Sequence, residues 1–290
     1  MTEQLATTVR SVVVAGGAGA VGSMFADLWS AAGATVTAAD PATDPAGDIR
    51  DPGDALRTAI GHADVVMLAV PEDVALAAVD ALLPLLRGDA VLVETLSVKS
   101  RFAAAVARAP AGGQVVGVNP MFAPALGLPG RSVLAVVHRG GPDADAVLDR
   151  MRAWGGHVEV TGADRHDRLC AAMQALTHAA VLAFGLALAD LGIESDDLAH
   201  LAPPPHRTLS ALLARITLGT PEVYRDVQTA NPYAAQARSA LSEALARLDA
   251  VCSGEPARFA DLLAAARAPL GDRADDAAAR CANLFEGLLR

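Results

Sequence analysis

The sequence predicts an α/β protein: an N-terminal Rossmann unit with a doubly wound, mostly parallel sheet, followed by an all-α helical domain. Three observations carry that expectation. Short apolar runs of strand length alternate with helical patterns up to about residue 160. A glycine-rich turn follows the first of those runs. Beyond residue 163 the strand signals stop, and long Ala/Leu-rich amphipathic segments take over. The domains are accordingly expected at 1–163, nucleotide-binding, and 164–290, helical.

The run Val12 to Ala15 reads as a buried parallel strand. Gly17, Gly19 and Gly22 then occupy the three glycine places of a G-x-G-x-x-G turn that opens a helix over Ala20 to Ala32. Gly17 permits the tight turn, Gly19 leaves bare backbone for a pyrophosphate, and Gly22 lets the helix lie close on the strand. Gly17, Ala18, Gly19, Ala20, Val21 and Gly22 would thus cradle phosphates at the helix's amino end. A second strand, Ala34 to Ala39, ends at Asp40, 18 residues beyond Gly22. Its carboxylate can accept from both adenosine ribose hydroxyls and would repel a 2′-phosphate. No Arg or Lys stands beside it in sequence, so NAD is expected over NADP. A purely structural turn is the alternative reading of the glycines.

Further strands are expected at Asp64 to Val70 and Ala90 to Glu94, separated by a helix over Glu72 to Leu83. Val115 to Val118, Ser132 to Val137 and His157 to Val160 read as later strands, with a helix over Asp143 to Trp154. The helical half divides into Asp164–Leu191, Arg207–Leu218, Pro221–Thr229, Pro232–Val251, Pro256–Ala266 and Arg273–Leu289, with Pro203-Pro204-Pro205 as a break. So much alanine with few aromatics favours close helix packing, either between subunits or within a monomeric bundle.

A net charge of −10, from 33 acids against 23 bases, and the absence of any Lys/Arg cluster argue against a nucleic-acid partner and an anionic membrane. The longest uncharged apolar stretch, Ala179 to Ala189, is too short to span a bilayer. Cys170, Cys252 and Cys281 are odd in number and lack metal-ligand spacing, so no metal is expected. With no hydrophobic leader in Met1 to Arg10, a soluble, reduced, cytoplasmic protein is expected.

Several separate segments together resemble the prephenate dehydrogenase (TyrA-type) family over nearly the whole chain. They are Gly16 to Gly22, Val70-Pro71, Glu94-Thr95-Leu96-Ser97-Val98-Lys99, Gly117-Val118-Asn119-Pro120-Met121-Phe122-Ala123-Pro124, His166-Asp167, Gln174-Ala175-Leu176-Thr177-His178, and the segment carrying Arg207 and Arg215. The resemblance implies an NAD-dependent oxidative decarboxylation of a small anionic cyclohexadiene, with hydride leaving C4, carbon dioxide leaving C1 and the ring becoming aromatic. It also implies a homodimer interlocked through the helical domain. With neither a chorismate mutase segment before the Rossmann unit nor a regulatory domain after it, a single-activity version is expected.

By the same resemblance Val70 and Pro71 contact the cofactor, and Ser97 lies near both nicotinamide and substrate. Lys99, its basic neighbour, is expected among the substrate-binding residues. Arg215 would hold the ring carboxylate, a task that suits a planar guanidinium, and Gln174 and His178 would line the substrate site one turn apart. Each has a plainer reading: Ser97 as a helix cap, His178 as a core histidine, Arg215 as a solvated or interface residue. His166 and Asp167 read mainly as capping chemistry. His62, His138, His157, His200 and His206 suggest no constellation.

One departure bears on the substrate. Where the family has His-Pro-Met, this chain has Asn119-Pro120-Met121. The family's histidine accepts the proton of a C4 hydroxyl, and a carboxamide cannot act as that base. Losing a general base typically costs about 10²- to 10⁴-fold in rate. A C4 amine needs no resident base, because its neutral nitrogen can push hydride out, and the Asn119 oxygen can accept an N–H bond. The expected reaction is therefore 4-amino-4-deoxyprephenate to 4-aminophenylpyruvate. The alternatives are an ordinary prephenate dehydrogenase making 4-hydroxyphenylpyruvate, an imine reductase or 3-hydroxyacid dehydrogenase, and a catalytically inactive NAD-binding regulator.

Overall fold

The computed structural model describes residues 9–110 and 112–287. Most of the Met1 to Arg10 stretch and the end of the helix expected to reach Leu289 lie outside those residues. The chain forms two compact units, Met1–Cys170 and Ala171–Arg290.

The first unit runs β1 (Ser11–Ala15), α1 (Ala20–Ala31), β2 (Thr35–Ala39), α2 (Asp54–His62), β3 (Val65–Leu68), α3 (Glu72–Leu82), β4 (Val91–Glu94), α4 (Ser100–Arg108), β5 (Gln114–Pro120), β6 (Ser132–Arg139), α5 (Pro142–Ala153), β7 (His157–Thr161) and α6 (Ala163–Cys170). Seven strands form one sheet in the order β2-β1-β3-β4-β5-β6-β7. All neighbours are parallel except β5 and β6, which pair antiparallel and are joined without a crossover helix. The central strands are apolar at nearly every position because both faces are covered. Val13, Ala15, Val66, Leu68 and Leu92 pack with Ile60, Val79, Leu82 and Phe102 on one face. Val12, Val14, Val65, Met67 and Val93 pack with Phe25, Trp29, Leu148 and Met151 on the other. Strand order reverses between β1 and β3, and the crevice beyond the carboxyl ends of strands at such a switch point is where open α/β sheets take their ligands.

The second unit opens with a π-helical stretch, Ala171–Ala175, and continues as α7 (Leu176–Asp190), α8 (Ser195–Leu201), α9 (Pro204–Thr217), α10 (Pro221–Thr229), α11 (Ala234–Cys252), α12 (Pro256–Arg267) and α13 (Ala274–Gly287). The proline run expected as a break instead starts a helix. Pro204 lies in the first turn of α9, where its missing N–H costs nothing. Within this unit α7 packs on α9 and α11, and a Cβ at Gly185 would lie 2.7 Å from the Leu213 side chain, so that glycine sets how closely α7 and α9 approach. Among the described residues the buried apolar cluster here comprises Ala175, Val227 and Ala234, with Val181 and Ile216 also buried. Large side chains such as Leu186, Leu191, Leu201 and Leu218 remain more than two-thirds exposed. The helical run Ala163–Asp190 is long and apolar enough to cross a membrane by length and composition alone.

Candidate active site

The glycine turn fills the crevice at the switch point. The left-handed torsion falls on Gly16, with φ +78°, rather than on Gly17. A Cβ at Gly16 would collide with the Ala69 carbonyl oxygen, and one at Gly17 would lie 2.8 Å from the Ala38 Cβ. The tight turn expected at Gly17 is thus made one residue earlier, and Gly17 gives room to β2. A Cβ at Gly22 would collide with the Gly16 carbonyl oxygen, so the glycine is what lets α1 start against the turn. Gly19 is the N-cap of α1 and no side chain caps that end, which leaves the helix's first amides and its dipole for an anion.

A pocket of about 250 Å³ opens there, lined among others by Gly16, Gly19, Asp40, Val70 and Pro71. Asp40 closes the far side, accepting from the backbone N–H of Ala42 at 2.9 Å and of Ala18 at 3.2 Å. Sequence adjacency missed Asp48, Ile49 and Arg50, which enter the same pocket from the loop after β2. A cation therefore does line the pocket with Asp40. Asp48 occupies it, with Arg50 Nη2 at 2.6 Å and Nε at 3.0 Å from its carboxylate oxygens. Glycine turn, open helix end and terminal carboxylate together fit a dinucleotide with free ribose hydroxyls.

A second, buried polar cluster lies at the ends of β4 and β5. Glu94 Oε2 accepts from Lys99 Nζ at 2.6 Å and from the Leu96 N–H at 2.7 Å, and its Oε1 lies 2.9 Å from His138 Nε2. Gly117 makes room for that carboxylate, since a Cβ there would collide with Oε1. Burial alone would raise the Glu94 pKa, but the Lys99 charge and the His138 bond hold it below the usual carboxylate range. Lys99 is fully buried, and its ammonium also donates to the Val118 carbonyl at 3.2 Å. The structure thus gives Lys99 to the strand end that carries Asn119. His138, expected in no constellation, belongs to this one.

Asn119 is itself 2% exposed. Its Nδ2 lies 3.3 Å from His166 Nε2 and 3.4 Å from Cys170 Sγ. His166 Nδ1 lies 2.8 Å from Asp167 Oδ1. Asp167 accepts the backbone N–H of Lys99 at 2.8 Å and of Ser100 at 2.9 Å. Asp167 does cap, as expected, but it caps α4 rather than its own helix. Burial lowers the His166 pKa, against the opposing pull of Asp167, and pushes the Cys170 thiol up to about 11. Ser97 is half-buried in the loop between β4 and α4 and makes no capping bond to α4.

In the second unit, His178 stacks edge-on against Tyr224 with ring centroids 5.1 Å apart. Its Nδ1 is buried without a partner, as is Gln174 Oε1. Burial, and then the charge of Arg215, holds the His178 pKa below the ordinary histidine value. Arg215 lies near the end of α9, where the Tyr224 hydroxyl donates to its carbonyl at 3.2 Å. No acidic side chain pairs with its guanidinium among the described residues. The two orphaned buried atoms are what a polar ligand would satisfy, and Arg215 stands exposed on α9. Tyr224 had no sequence signal of its own.

A dinucleotide crevice beside a buried polar cluster defines a nucleotide-dependent enzyme of the doubly wound class. Residues 39–132 match the nucleotide-binding domain of prephenate dehydrogenase, and residues 162–264 match that enzyme's dimerization domain. The chain belongs to the prephenate dehydrogenase family. It is 50% identical over 285 residues to 4-amino-4-deoxyprephenate dehydrogenase of Streptomyces pristinaespiralis, covering 95% of this chain and 96% of the relative. It is 32% identical over 224 residues to the T-protein of Enterobacter agglomerans, covering 77% of this chain and 57% of the relative. Prephenate dehydrogenase from A. aeolicus, solved in complex with hydroxyphenyl propionate and NAD+, shares the fold with a TM-score of 0.64 at 18% identity, over 94% of this chain and 99% of that one. Synechocystis arogenate dehydrogenase also gives 0.64 at 18% identity, over 91% of this chain and 98% of that one.

Proposed function

We propose that the protein oxidatively decarboxylates 4-amino-4-deoxyprephenate to 4-aminophenylpyruvate with NAD as hydride acceptor, as a homodimer in the reducing cytoplasm. The observation that carries this is Asn119. A carboxamide stands at the family's general-base position, and the relative that is 50% identical over 95% of the chain is a 4-amino-4-deoxyprephenate dehydrogenase. When bound, NAD supplies the oxidising power. Gly17 to Gly22 and the start of α1 would hold its pyrophosphate, Asp40 its adenosine ribose, and Val70 and Pro71 its inner face.

On the substrate side, Arg215 holds the ring carboxylate, with Gln174 and His178 beside it. Ser97, in the loop after β4, would lie near the reacting carbon and the nicotinamide. The Asn119 carboxamide accepts an N–H bond from the C4 amine and orients its lone pair. Lys99 acts through structure, fixing the strand end at Val118. The three cysteines are all free thiols, which suits a reducing compartment. The exposed leucines of the helical unit and its match to a dimerization domain support the pairing of two copies.

A second reading, prephenate as substrate, is favoured by one observation: His166, a neutral base, lies 3.3 Å from Asn119. Its free lone pair at Nε2 is already spent on the Asn119 amide, however, and an amide does not pass a proton on. The test is kcat/KM for both compounds with NAD, in the wild type and Asn119→His. The wild type should favour the amine, and the substitution should raise turnover of prephenate and lower that of the amine. Equal or better use of prephenate by the wild type would overturn the assignment.

A further inference from the structure

Asn119 can serve an amine only if its oxygen, not its NH2, faces the substrate. Left to itself the amide could rotate and offer either end. A chain of contacts through Asp167 and His166 decides between them. The two N–H groups at the start of α4, from Lys99 and Ser100, hold the Asp167 carboxylate from one side. Asp167 in turn accepts from His166 Nδ1 at 2.8 Å. A carboxylate there requires a proton on Nδ1, and burial keeps the ring neutral, so Nε2 is left as an acceptor. An acceptor 3.3 Å from the end of the Asn119 side chain attracts the amide N–H and repels the amide oxygen, and the Cys170 thiol, 3.6 Å from the same nitrogen, is only a weak competing donor. Cys170 Sγ, 3.4 Å away, takes the same end of the amide. Asn119 Oδ1 receives no hydrogen bond from any described residue and is the end left for a ligand.

We propose that His166 is a positioning residue for the reaction: held as the Nδ1–H tautomer by Asp167, it locks the Asn119 carboxamide with its oxygen free for the substrate's C4 amine, and so helps set the preference for amine over hydroxyl. The proposal rests on the reading that Asn119 meets that amine. Its consequence is specific to one substrate. A hydroxyl can accept from an amide NH2 as readily as it donates to an amide oxygen, whereas the amine must keep its lone pair free to expel hydride and therefore needs the oxygen.

The test uses the full-length protein with NAD and both candidate substrates. His166→Leu removes the acceptor, and His166→Gln restores one through its side-chain oxygen. His166→Leu should lower the ratio of kcat/KM for the amine to that for prephenate by about tenfold, the worth of roughly one oriented hydrogen bond. The loss should appear in kcat for the amine, and His166→Gln should recover part of it. An equal fall on both substrates, or an unchanged ratio, overturns the proposal. A wild type that does not prefer the amine would instead refute the functional reading, which the wild-type arm alone reveals.

A measurement on unsubstituted His166 stands if His166→Leu fails to fold. In protein labelled with 15N-histidine, the ring whose signals move on Asn119→Ala should carry its proton on Nδ1. A proton on Nε2, or no ring responding, would refute the lock.

Discussion

Arg215 illustrates how a residue's role follows from what is missing around it. It lies near the end of α9 with no acidic partner among the described residues, and its charge holds the His178 pKa down. If it grips the ring carboxylate, Arg215→Ala should raise KM for the amine and for prephenate alike, because both carry that carboxylate. The loss of one charge-assisted contact, about 1.5–3 kcal/mol, corresponds to about ten- to a hundredfold. A loss confined to one substrate would argue against the clamp. At this scale the sequence was informative wherever chemistry sits in a short motif: Asn119 is conspicuous because Pro120 and Met121 follow it. Its partners were not legible, since His166 and Cys170 lie 47 and 51 residues away and only the packing of α6 brings them near. The same applies to Glu94 and His138, which are 44 residues apart. Lys99 looked like a substrate ligand because a motif reveals a charge but not its burial.

Among the elements, the strands of the first unit were legible because a parallel strand covered on both faces must be apolar at nearly every position. Two helices there carried no comparable signal. Asp54–His62 includes Gly61, and Ser100–Arg108 has no capping side chain of its own, being capped from Asp167 far along the chain. The antiparallel turn from β5 to β6 was equally hidden, because strand direction leaves no mark on composition. The glycine turn can be tested directly. Gly22→Ala places a Cβ against the Gly16 carbonyl oxygen, and backbone on both sides must move. Such overpacking should cost about 1–3 kcal/mol of stability and weaken NAD binding, measured by thermal melting and by fluorescence titration of the nucleotide. Unchanged NAD affinity would show that the close approach of α1 to the turn does not shape the site.

Two properties belong to the whole molecule. The first is its response to acid. His166 and His178 both have folded pKa values held below the ordinary histidine value of 6.5, chiefly by burial. Between those folded values and 6.5 the unfolded chain binds more protons, so stability rises with pH across that window and is lost as pH falls through it. Asp167 adds a second loss at lower pH. Burial opposes its ionisation, but bonds from His166, Ser100 and Lys99 outweigh it and hold its pKa below 3.8, so its contribution persists until the pH falls below the ordinary aspartate range. Urea-unfolding midpoints should therefore be level just above neutrality and decline in two stages on acidification. His166→Gln should reduce the first stage, and an undiminished decline in that variant would remove His166 from the account.

The second is the unfinished core of the helical unit. For the seven helices described, the buried apolar side chains are few and small, among them Ala175, Val181, Ile216, Val227 and Ala234, while many larger ones lie on the surface, with Leu186 70% exposed on α7 and Leu212 37% exposed on α9. So many large apolar side chains exposed on one helical unit match the composition of an obligate interface better than that of a monomer's surface. α7 belongs to a helical run that passes the length and composition test for a membrane span. The same faces pressed against a second copy account for that composition without a bilayer, because an interface helix is buried on more than one side. If two copies pair through α7 and α9, Leu186→Lys and Leu212→Lys should each lower the mass by light scattering from that of a dimer to that of a monomer, with helical content retained in circular dichroism. Activity should then fall with the dimer mass rather than with the melting temperature. If both variants kept the dimer mass, α7 and α9 would not form the seam between copies.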